Sequence, residues 1–235
     1  MHYTVTCTSC SAALEVNAKL VGREVECPGC HKIIVVPDAS FGPGTTIGGF
    51  EIKSLLGRGG MGEVYLAHQN SMSRDVALKV LPRGLVVDKD AIARFLTEVR
   101  LAAKLEHTNL VTAYEAGDDS GIYYFAMSYV RGESLDKKLK KEGAFSEHDA
   151  LGIVRKVASA LQYAWEEHGL IHRDIKPANI ILDHRGEPKL TDMGLSKSLR
   201  EKQGLTVAST VMGTPNYMSP EQAEGKSDIN FRADI

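Results

Sequence analysis

Short runs of apolar residues recur through the middle of the chain at the length and spacing of β-strands. These runs are rich in valine, isoleucine, tyrosine and phenylalanine, which favour extended backbone. The segments between them contain glycine, asparagine, aspartate and serine, which favour turns. The sequence therefore predicts five strands, over residues 50–56, 63–67, 75–80, 111–116 and 122–129.

Two other stretches have apolar residues at the helical spacing of three and four positions. The first covers residues 88–106, and the second runs to Gly169 after the capping pair Ser146 and Asp149. The second stretch has its apolar period at Leu151, Val154, Ala158, Leu161 and Trp165. Strands followed by helices predict an α+β fold, with a small β-rich lobe, a helical lobe and a cleft between them.

The four cysteines form two C-x2-C pairs near the start of the chain. Cys7 and Cys10 make the first pair, and Cys27 and Cys30 follow sixteen residues later. This spacing is typical of a structural Zn²⁺ site, in which four thiolates close the coordination shell; two disulfides are the alternative. We also predict hairpin strands over 15–19 and 23–26 and another strand over 33–36. So small a module needs the metal to fold.

Composition separates this module from the rest of the chain. Residues 1–36 form the predicted zinc ribbon, 37–49 form a linker rich in Pro, Gly, Ser and Thr, and 50–235 form the main domain. The segment 1–38 contains three Lys/Arg against four Asp/Glu. That balance disfavours a phosphate-binding surface. We therefore expect the ribbon to contact another protein or to serve structure, with nucleic-acid binding as the rival function.

The overall composition is that of an ordinary folded protein. The chain has 235 residues, of which 43% are hydrophobic and 25% charged, and its net charge is −2. Dominant disorder is excluded, and there is no electrostatic reason to expect a nucleic-acid partner. No apolar run approaches the ~20 residues of a membrane span, and the N-terminus lacks the pattern of a secretory signal. We expect a cytoplasmic protein with reduced thiols.

A glycine-rich segment and a lysine indicate phosphate binding in the main domain. Gly57, Gly59 and Gly62 form Gly-x-Gly-x-x-Gly between two predicted strands rather than before a helix, which argues against a dinucleotide-binding fold. A hairpin turn of this composition can lie over phosphates. Lys79 ends an apolar strand and needs an anion. Glu98 either reaches inward to Lys79 or pairs with Arg94 on the solvent side.

Two further segments, 172–179 and 192–194, complete a set of motifs that resembles the protein kinase family, in its bacterial serine/threonine branch. The matching features are the glycine loop with Val64, the Val-Ala-Leu-Lys strand, the helix glutamate, His-Arg-Asp-x-Lys-x-x-Asn, Asp-x-Gly, and Ser-Pro-Glu at 219–221. The resemblance runs from about residue 50 to the end and implies a two-lobed kinase fold. The N-lobe would cover about 50–127 and a partial C-lobe about 131–235.

The resemblance also implies a chemistry that uses ATP and Mg²⁺ or Mn²⁺ on serine and threonine hydroxyls of protein substrates. Lys79, positioned by Glu98, would hold the α- and β-phosphates. Asp174 would accept the substrate proton, and Lys176 would neutralise the γ-phosphate. Asn179 and Asp192 would bind the metal. The other implied nucleotide contacts are Leu56, Gly57, Gly59, Gly62, Val64, Ala77, Met127, Ser128, Val130 and Ile181.

Regulation and departures from the family pattern complete the expectations. Arg173 is implied to pair with a phosphorylated activation segment, for which Thr206, Ser209 and Thr210 are the candidates. Met193 replaces the usual phenylalanine.

The chain ends where the central helix of the larger lobe would begin, so we expect this 235-residue chain to be a truncated kinase domain with little or no activity. Membrane attachment through a region beyond residue 235 is compatible with this. The alternatives are a nucleotide-binding pseudokinase scaffold and an inactive fragment.

Overall fold

The computed structural model describes residues 2–7, 9–17, 20, 24–35, 41–59, 62–81, 96–97, 99–193, 215–226 and 228–235. The cysteine-containing module consists of two antiparallel hairpins. β1 (His2–Thr6) pairs with β2 (Ala13–Asn17), and β3 (Glu24–Glu26) pairs with β4 (Ile33–Val35). The pairing differs from the predicted hairpin of 15–19 with 23–26, because each C-x2-C turn reverses the chain and joins the strands on its own two sides.

The main domain begins with a sheet of six antiparallel strands. In chain order these are β5 (Thr46–Ile47), β6 (Phe50–Gly59), β7 (Gly62–Gln69), β8 (Arg74–Val80), β9 (Ala113–Asp119) and β10 (Ile122–Ser128). Their order across the sheet is β5-β6-β7-β8-β10-β9. The five predicted strands are therefore present, and the sixth comes from the stretch predicted as a linker.

Residues 41–49 of that stretch pack on the sheet. Ile47 is fully buried, and Phe41 lies edge-on to Tyr65 with ring centroids 6.1 Å apart. The N–H of Gly44 donates to the carbonyl of Ile52 (2.9 Å). Glycine, proline and threonine marked this stretch as a connection, but a few apolar side chains suffice to hold it against the lobe.

One face of the sheet encloses a core, and the other faces the cleft. The enclosed cluster alternates along the strands, as expected for a period of two, and comprises Ile47, Phe50, Ile52, Tyr65, Ala67, Val76, Leu78, Val80, Ile122, Tyr124 and Ala126. Ala77, Phe125 and Met127 belong to a second cluster on the opposite face, with Val99 and Leu81. In the predicted helix 88–106, residues 96–97 and 99–102 are helical among those described.

The second lobe is built on helices and a small sheet. β11 (Gly132–Ser134) leads into α1 (Leu135–Glu142), followed by α2 (Glu147–His168), a 3-10 turn (Pro177–Asn179), β12 (Ile180–Asp183) and β13 (Pro188–Leu190). A 3-10 turn (Pro215–Tyr217), α3 (Pro220–Ala223) and a last 3-10 turn (Phe231–Asp234) follow. Within the ranges described, no helix has the length and apolar character needed to span a membrane.

The bounds of α2 agree with the predicted caps. The Ser146 side chain accepts a hydrogen bond from the N–H of Asp149, and Gly169 ends the helix in the left-handed conformation at φ 63°. The predicted apolar period, however, does not mark the buried face. Leu151 and Val154 are each 63% exposed, whereas Val157, Ala160 and Ala164 are buried.

The start of β11 tolerates only glycine, because another strand's backbone passes directly over it. A Cβ at Gly132 would lie 2.0 Å from the carbonyl oxygen of Leu182 and 2.9 Å from the Cα of Asp183. We expect Gly132→Ala to lower the free energy of unfolding by about 3 kcal/mol, the upper range for overpacking, in urea denaturation. Gly152→Ala is the control, since a Cβ at that helical position meets nothing within 4 Å. Equal stability of both variants would contradict the prediction.

Candidate active site and metal centre

The two cysteine turns share one backbone conformation. In each, the N–H four residues after the first cysteine donates to that cysteine's carbonyl: Ser11 to Cys7 (2.9 Å) and His31 to Cys27 (2.8 Å). Ser11 and His31 both adopt positive φ, 61° and 57°. Two equivalent turns therefore present their thiols to a common point.

The distances between the sulfurs fit a metal centre. All four Sγ atoms lie within 4.8 Å of one another, with Cys7 to Cys30 at 3.7 Å and Cys10 to Cys27 at 3.6 Å. A tetrahedral Zn²⁺ with Zn–S bonds of about 2.3 Å needs sulfurs about 3.8 Å apart, whereas a disulfide needs about 2.05 Å. All four cysteines are free. The donor set therefore fits Zn²⁺ and does not fit two disulfides.

The charges of these thiols show why a cation suits the cluster. The N–H groups of Ser9, 3.4 Å from Sγ, and of Cys10 lower the pKa of Cys7 to about 6. The N–H of Ala12 lowers the pKa of Cys10, but the neighbouring Cys30 thiol and burial outweigh it and raise that pKa to about 12. Thiolates in contact repel one another, and the positive charge of a bound Zn²⁺ would offset this repulsion and keep the four sulfurs deprotonated.

In the main domain, Asp174 lies at the centre of a polar cluster between α2 and β12. Its Oδ2 accepts hydrogen bonds from Nζ of Lys176 (2.8 Å) and from Nδ2 of Asn179 (3.0 Å). Nδ2 of Asn179 also donates to the backbone carbonyl of Asp174 (2.8 Å). The side chains of Asp174 and Lys176 are 16% and 19% exposed. The carboxylate is thus held in place while remaining accessible from the cleft.

The fully buried ring of His172 ties this cluster to the next strand. Its Nε2 donates to the carbonyl of Thr191 (2.7 Å), and its Nδ1 accepts the N–H of Asp174 (3.2 Å). These partners place the ring proton on Nε2. The N–H of Thr191 in turn donates to the carbonyl of Asn179 (2.9 Å). Because Thr191 precedes Asp192, the ring fixes Asp174 relative to Asp192.

Lys79 and Asp192 form an ion pair across the cleft. Nζ of Lys79 lies 2.6 Å from Oδ1 of Asp192, and the two side chains are 6% and 29% exposed. Burial by itself raises the pKa of Asp192, but the positive charge and hydrogen bond of Lys79 outweigh it and hold that pKa below its usual range. Asp192 supplies a hard oxygen ligand, and Asn179 supplies a second through Oδ1 because its Nδ2 is bound to Asp174. These residues fit a bound Mg²⁺.

Removal of the Lys79 charge is expected to change how stability depends on pH. With its lowered pKa, Asp192 stabilises the native chain above pH ~4, and this contribution is lost as the pH falls through the folded-state pKa. In Lys79→Met, the largest opposing interaction is lost and only the weaker effects of His172 and Lys176 remain against burial, so the pKa of Asp192 rises and stability is gained as the pH falls. The difference in unfolding free energy between the two chains should shrink from pH 7 to pH 4 in urea denaturation.

The exposed pair of Lys53 with Asp75, 2.6 Å apart, provides the control. Solvent screens this pair, so Lys53→Met should show a smaller dependence on pH than Lys79→Met. A difference that stayed constant with pH for Lys79→Met would contradict the charge pairing of Lys79 and Asp192.

The glycine segment forms the tip of a hairpin. Gly59 pairs with Gly62 where β6 meets β7, and residues 60–61 lie outside the described part. Apart from the adjacent residues, a Cβ at Gly57 or Gly59 would meet no described atom within 4 Å. β6 and β7 therefore pair on either side of these glycines as the sequence predicts, with Leu56 exposed on β6.

The residues predicted around the base lie on the cleft side of the sheet and in the connection between the lobes. Met127 pairs with Ala77 across β10 and β8. The N–H of Ser128 donates to the carbonyl of Thr112 (2.9 Å), so this donor is already used within the protein. Among the residues that the structure describes, Val130 makes no hydrogen bond through its N–H, which leaves this group for a ligand. Val64 packs in the same cluster as Met127, and Ile181 lies in β12 opposite Ser134.

Some predicted residues cannot be placed. Glu98, Thr206, Ser209 and Thr210 lie outside the described part of the chain, as does Gly194. The choice between Lys79 and Arg94 as the partner of Glu98 therefore stays a prediction, as does the phosphorylated position.

Asp234 is a site residue that was not predicted from the sequence. Its Oδ2 accepts the N–H of His172 (2.7 Å) and its Oδ1 accepts the N–H of Arg173 (2.6 Å). The two segments are far apart in sequence, so no local spacing could have paired them. The sequence offered one signal for Asp234: it lies where the family resemblance places the start of the central helix of the larger lobe.

The chain is similar to known proteins in sequence and in fold. The family model described as protein kinase domain matches residues 50–235. The chain is 38% identical over 187 residues to serine/threonine-protein kinase PrkC of Bacillus subtilis, covering 77% of this chain and 28% of that protein. It is 40% identical over 208 residues to serine/threonine-protein kinase pkn3 of Myxococcus xanthus, covering 85% and 38%.

A solved structure has the same fold. The crystal structure of the Mycobacterium tuberculosis PknI kinase domain is 30% identical and superposes with a TM-score of 0.68, over 83% of this chain and 73% of that one. The predicted α+β, two-lobed fold is thereby confirmed. The chain spans less than two-fifths of the length of the two curated relatives.

Proposed function

Because the chain belongs to the protein kinase family, we propose that the protein transfers the γ-phosphoryl group of ATP to serine and threonine hydroxyls of protein substrates in bacterial signalling. The observation that supports this most directly is the convergence of Lys176 and Asn179 on one carboxylate oxygen of Asp174, beside the pair of Lys79 with Asp192. Phosphoryl transfer needs this combination of cations, hard oxygen ligands and a proton acceptor.

Each residue has a role in the proposed reaction. Lys79 holds the α- and β-phosphates. Asn179 and Asp192 would hold Mg²⁺, which would supply positive charge against the phosphates when bound. The substrate oxygen bonds to the γ-phosphorus, the bond from that phosphorus to the β–γ bridging oxygen breaks, and ADP leaves with the electron pair. Asp174 accepts the hydroxyl proton, and Lys176 offsets the charge on the migrating group.

The supporting contacts explain how the site stays ordered. Each ring nitrogen of His172 makes a hydrogen bond, Nε2 to Thr191 and Nδ1 to the N–H of Asp174. These bonds connect the segment that carries Asp174 to the strand that precedes Asp192. The N–H of Val130 is available to the adenine base, and Leu56, Val64, Ala77, Met127 and Ile181 supply apolar surface. A pseudokinase scaffold is the weaker candidate, because the charged residues of the reaction are present in this chain.

We further propose that the cysteine module holds one structural Zn²⁺ and contacts another protein. The sulfur distances near those of a ZnS₄ tetrahedron support the metal. Free thiolates of this kind persist in a reducing compartment, which favours the cytoplasm. Phosphorylation of the chain's own segment at Thr206, Ser209 or Thr210 would pair with Arg173 and activate the enzyme.

The function is tested on the full-length protein that the gene encodes. Calorimetry with ATP and Mg²⁺ should show one nucleotide per chain, and γ-labelled ATP should label a generic basic protein on serine and threonine. Uptake without any transfer would favour the pseudokinase, and no uptake would overturn the proposal.

A further inference from the structure

A side chain outside the predicted motifs, Gln222, connects α3 to the segment that carries Asp174. Its Nε2 donates to the backbone carbonyl of Arg173 (2.8 Å). Its Oε1 accepts the N–H of Ser219 (3.0 Å), and its own N–H donates to Oγ of Ser219 (3.4 Å). One amide group therefore bridges two segments that lie far apart in the chain.

The bridge ends on a residue that needs external support. Arg173 has a positive φ of 67°, a conformation that a residue with a Cβ adopts at a cost. Its N–H is held by Asp234 (2.6 Å) and its carbonyl by Gln222 (2.8 Å). Arg173 directly precedes Asp174. Its backbone N–H and its backbone carbonyl are thus both held by side chains from residues 222–234.

We propose that Gln222 is a positioning residue for phosphoryl transfer, acting through the Arg173 carbonyl on the orientation of Asp174. This inference rests on the proposed function. A hydrogen bond to a part-buried carbonyl is costly to lose, because the acceptor cannot recover a full water partner. Loss of the Gln222 donor therefore releases Arg173 from its left-handed conformation and loosens the carboxylate that accepts the substrate proton.

A purely structural role as a helix cap is the competing explanation, and two variants separate it from positioning. Gln222→Glu keeps an acceptor for the N–H of Ser219, and glutamate is a standard residue of this capping box. It places a carboxylate oxygen against the Arg173 carbonyl, where a donor is required. Ser219→Ala removes the hydroxyl half of the cap and leaves the bond from Gln222 to Arg173 intact.

The first measurement is steady-state kinetics on the full-length protein. Gln222→Glu should lower kcat about tenfold, the effect of one lost hydrogen bond to a part-buried carbonyl, with the KM for ATP unchanged. Ser219→Ala should keep kcat within about twofold of the unsubstituted protein, because a single cap affects mainly stability. A capping role predicts the reverse order of the two variants, and that result would overturn the proposal.

The second measurement does not depend on turnover. Amide hydrogen exchange followed by mass spectrometry should show faster exchange over 172–176 in Gln222→Glu. In Ser219→Ala, exchange should be faster over 220–224 and unchanged over 172–176. Unchanged exchange over 172–176 in Gln222→Glu would overturn the positioning role even if kcat fell. If the unsubstituted protein binds no nucleotide and transfers no phosphate, the proposed function fails, while the exchange pattern still decides whether Gln222 orders the loop.

Discussion

Asp174→Asn should reduce phosphoryl transfer about a thousandfold in single-turnover assays, while ATP and Mg²⁺ still bind. The range for a lost proton acceptor is about 10² to 10⁴. The amide is the same size as the carboxylate, so it can still accept the hydrogen bond that Nδ2 of Asn179 now makes to Oδ2 (3.0 Å). It cannot take up the substrate proton, and it no longer pairs with the charge of Lys176.

Asp136→Asn is the matched control for this prediction. Asp136 is a carboxylate bound to a lysine, Lys140, at 2.9 Å, but the pair lies on the surface of α1. Its replacement should leave kcat unchanged. A transfer rate in Asp174→Asn within threefold of the unsubstituted protein would show that another group accepts the proton, or that the observed activity comes from a contaminant.

Cys27→Ser should abolish zinc binding and unfold the N-terminal module. Structural zinc contributes about 10–16 kcal/mol of apparent binding free energy in small domains, more than a module of this size gains from its core. Cys27 is fully buried, and its own cluster contains only residues of the module, among them Val5, Leu14 and Val16. The remaining domain has separate core clusters and should keep its melting temperature.

The readouts are the zinc content of the purified protein, one ion per chain before substitution, and the exchange of amide protons over 2–35. Ser9→Ala is the control, because its backbone N–H still reaches Sγ of Cys7 while the exposed hydroxyl is lost. Full zinc content in Cys27→Ser would contradict a four-cysteine site. Two disulfides would instead give no metal and a mass lower by four hydrogens under non-reducing conditions.

The parts of the site that are close together in sequence were predictable. Asp174, Lys176 and Asn179 fall within one short segment, and a 3-10 turn is enough to bring them into contact. The C-x2-C pairs were predictable for the same reason, since each turn fixes two ligands locally. In both cases the chemistry depends on spacing that a few residues of backbone enforce.

The long-range partners were not predictable. Asp234 and Gln222 reach the catalytic segment from the end of the chain, and no pattern of spacing relates them to Arg173. The buried face of α2 was missed because alanines occupy much of it, while larger apolar residues such as Leu151 remain exposed. Helical period identifies a helix, but it does not tell which of two apolar faces a neighbouring element covers.

The contact between Lys79 and Asp192 also bears on how substrate enters the cleft. With ammonium and carboxylate 2.6 Å apart, each cancels most of the field of the other. A free magnesium ion meets a carboxylate already compensated, and free ATP meets a lysine already compensated. In the magnesium–ATP complex, the phosphates can pair with Lys79 while the metal pairs with Asp192. The complex can therefore replace both halves of the ion pair at once. If the protein binds ATP as proposed, the cleft should select the magnesium–ATP complex over either component, and binding of ATP should depend steeply on magnesium.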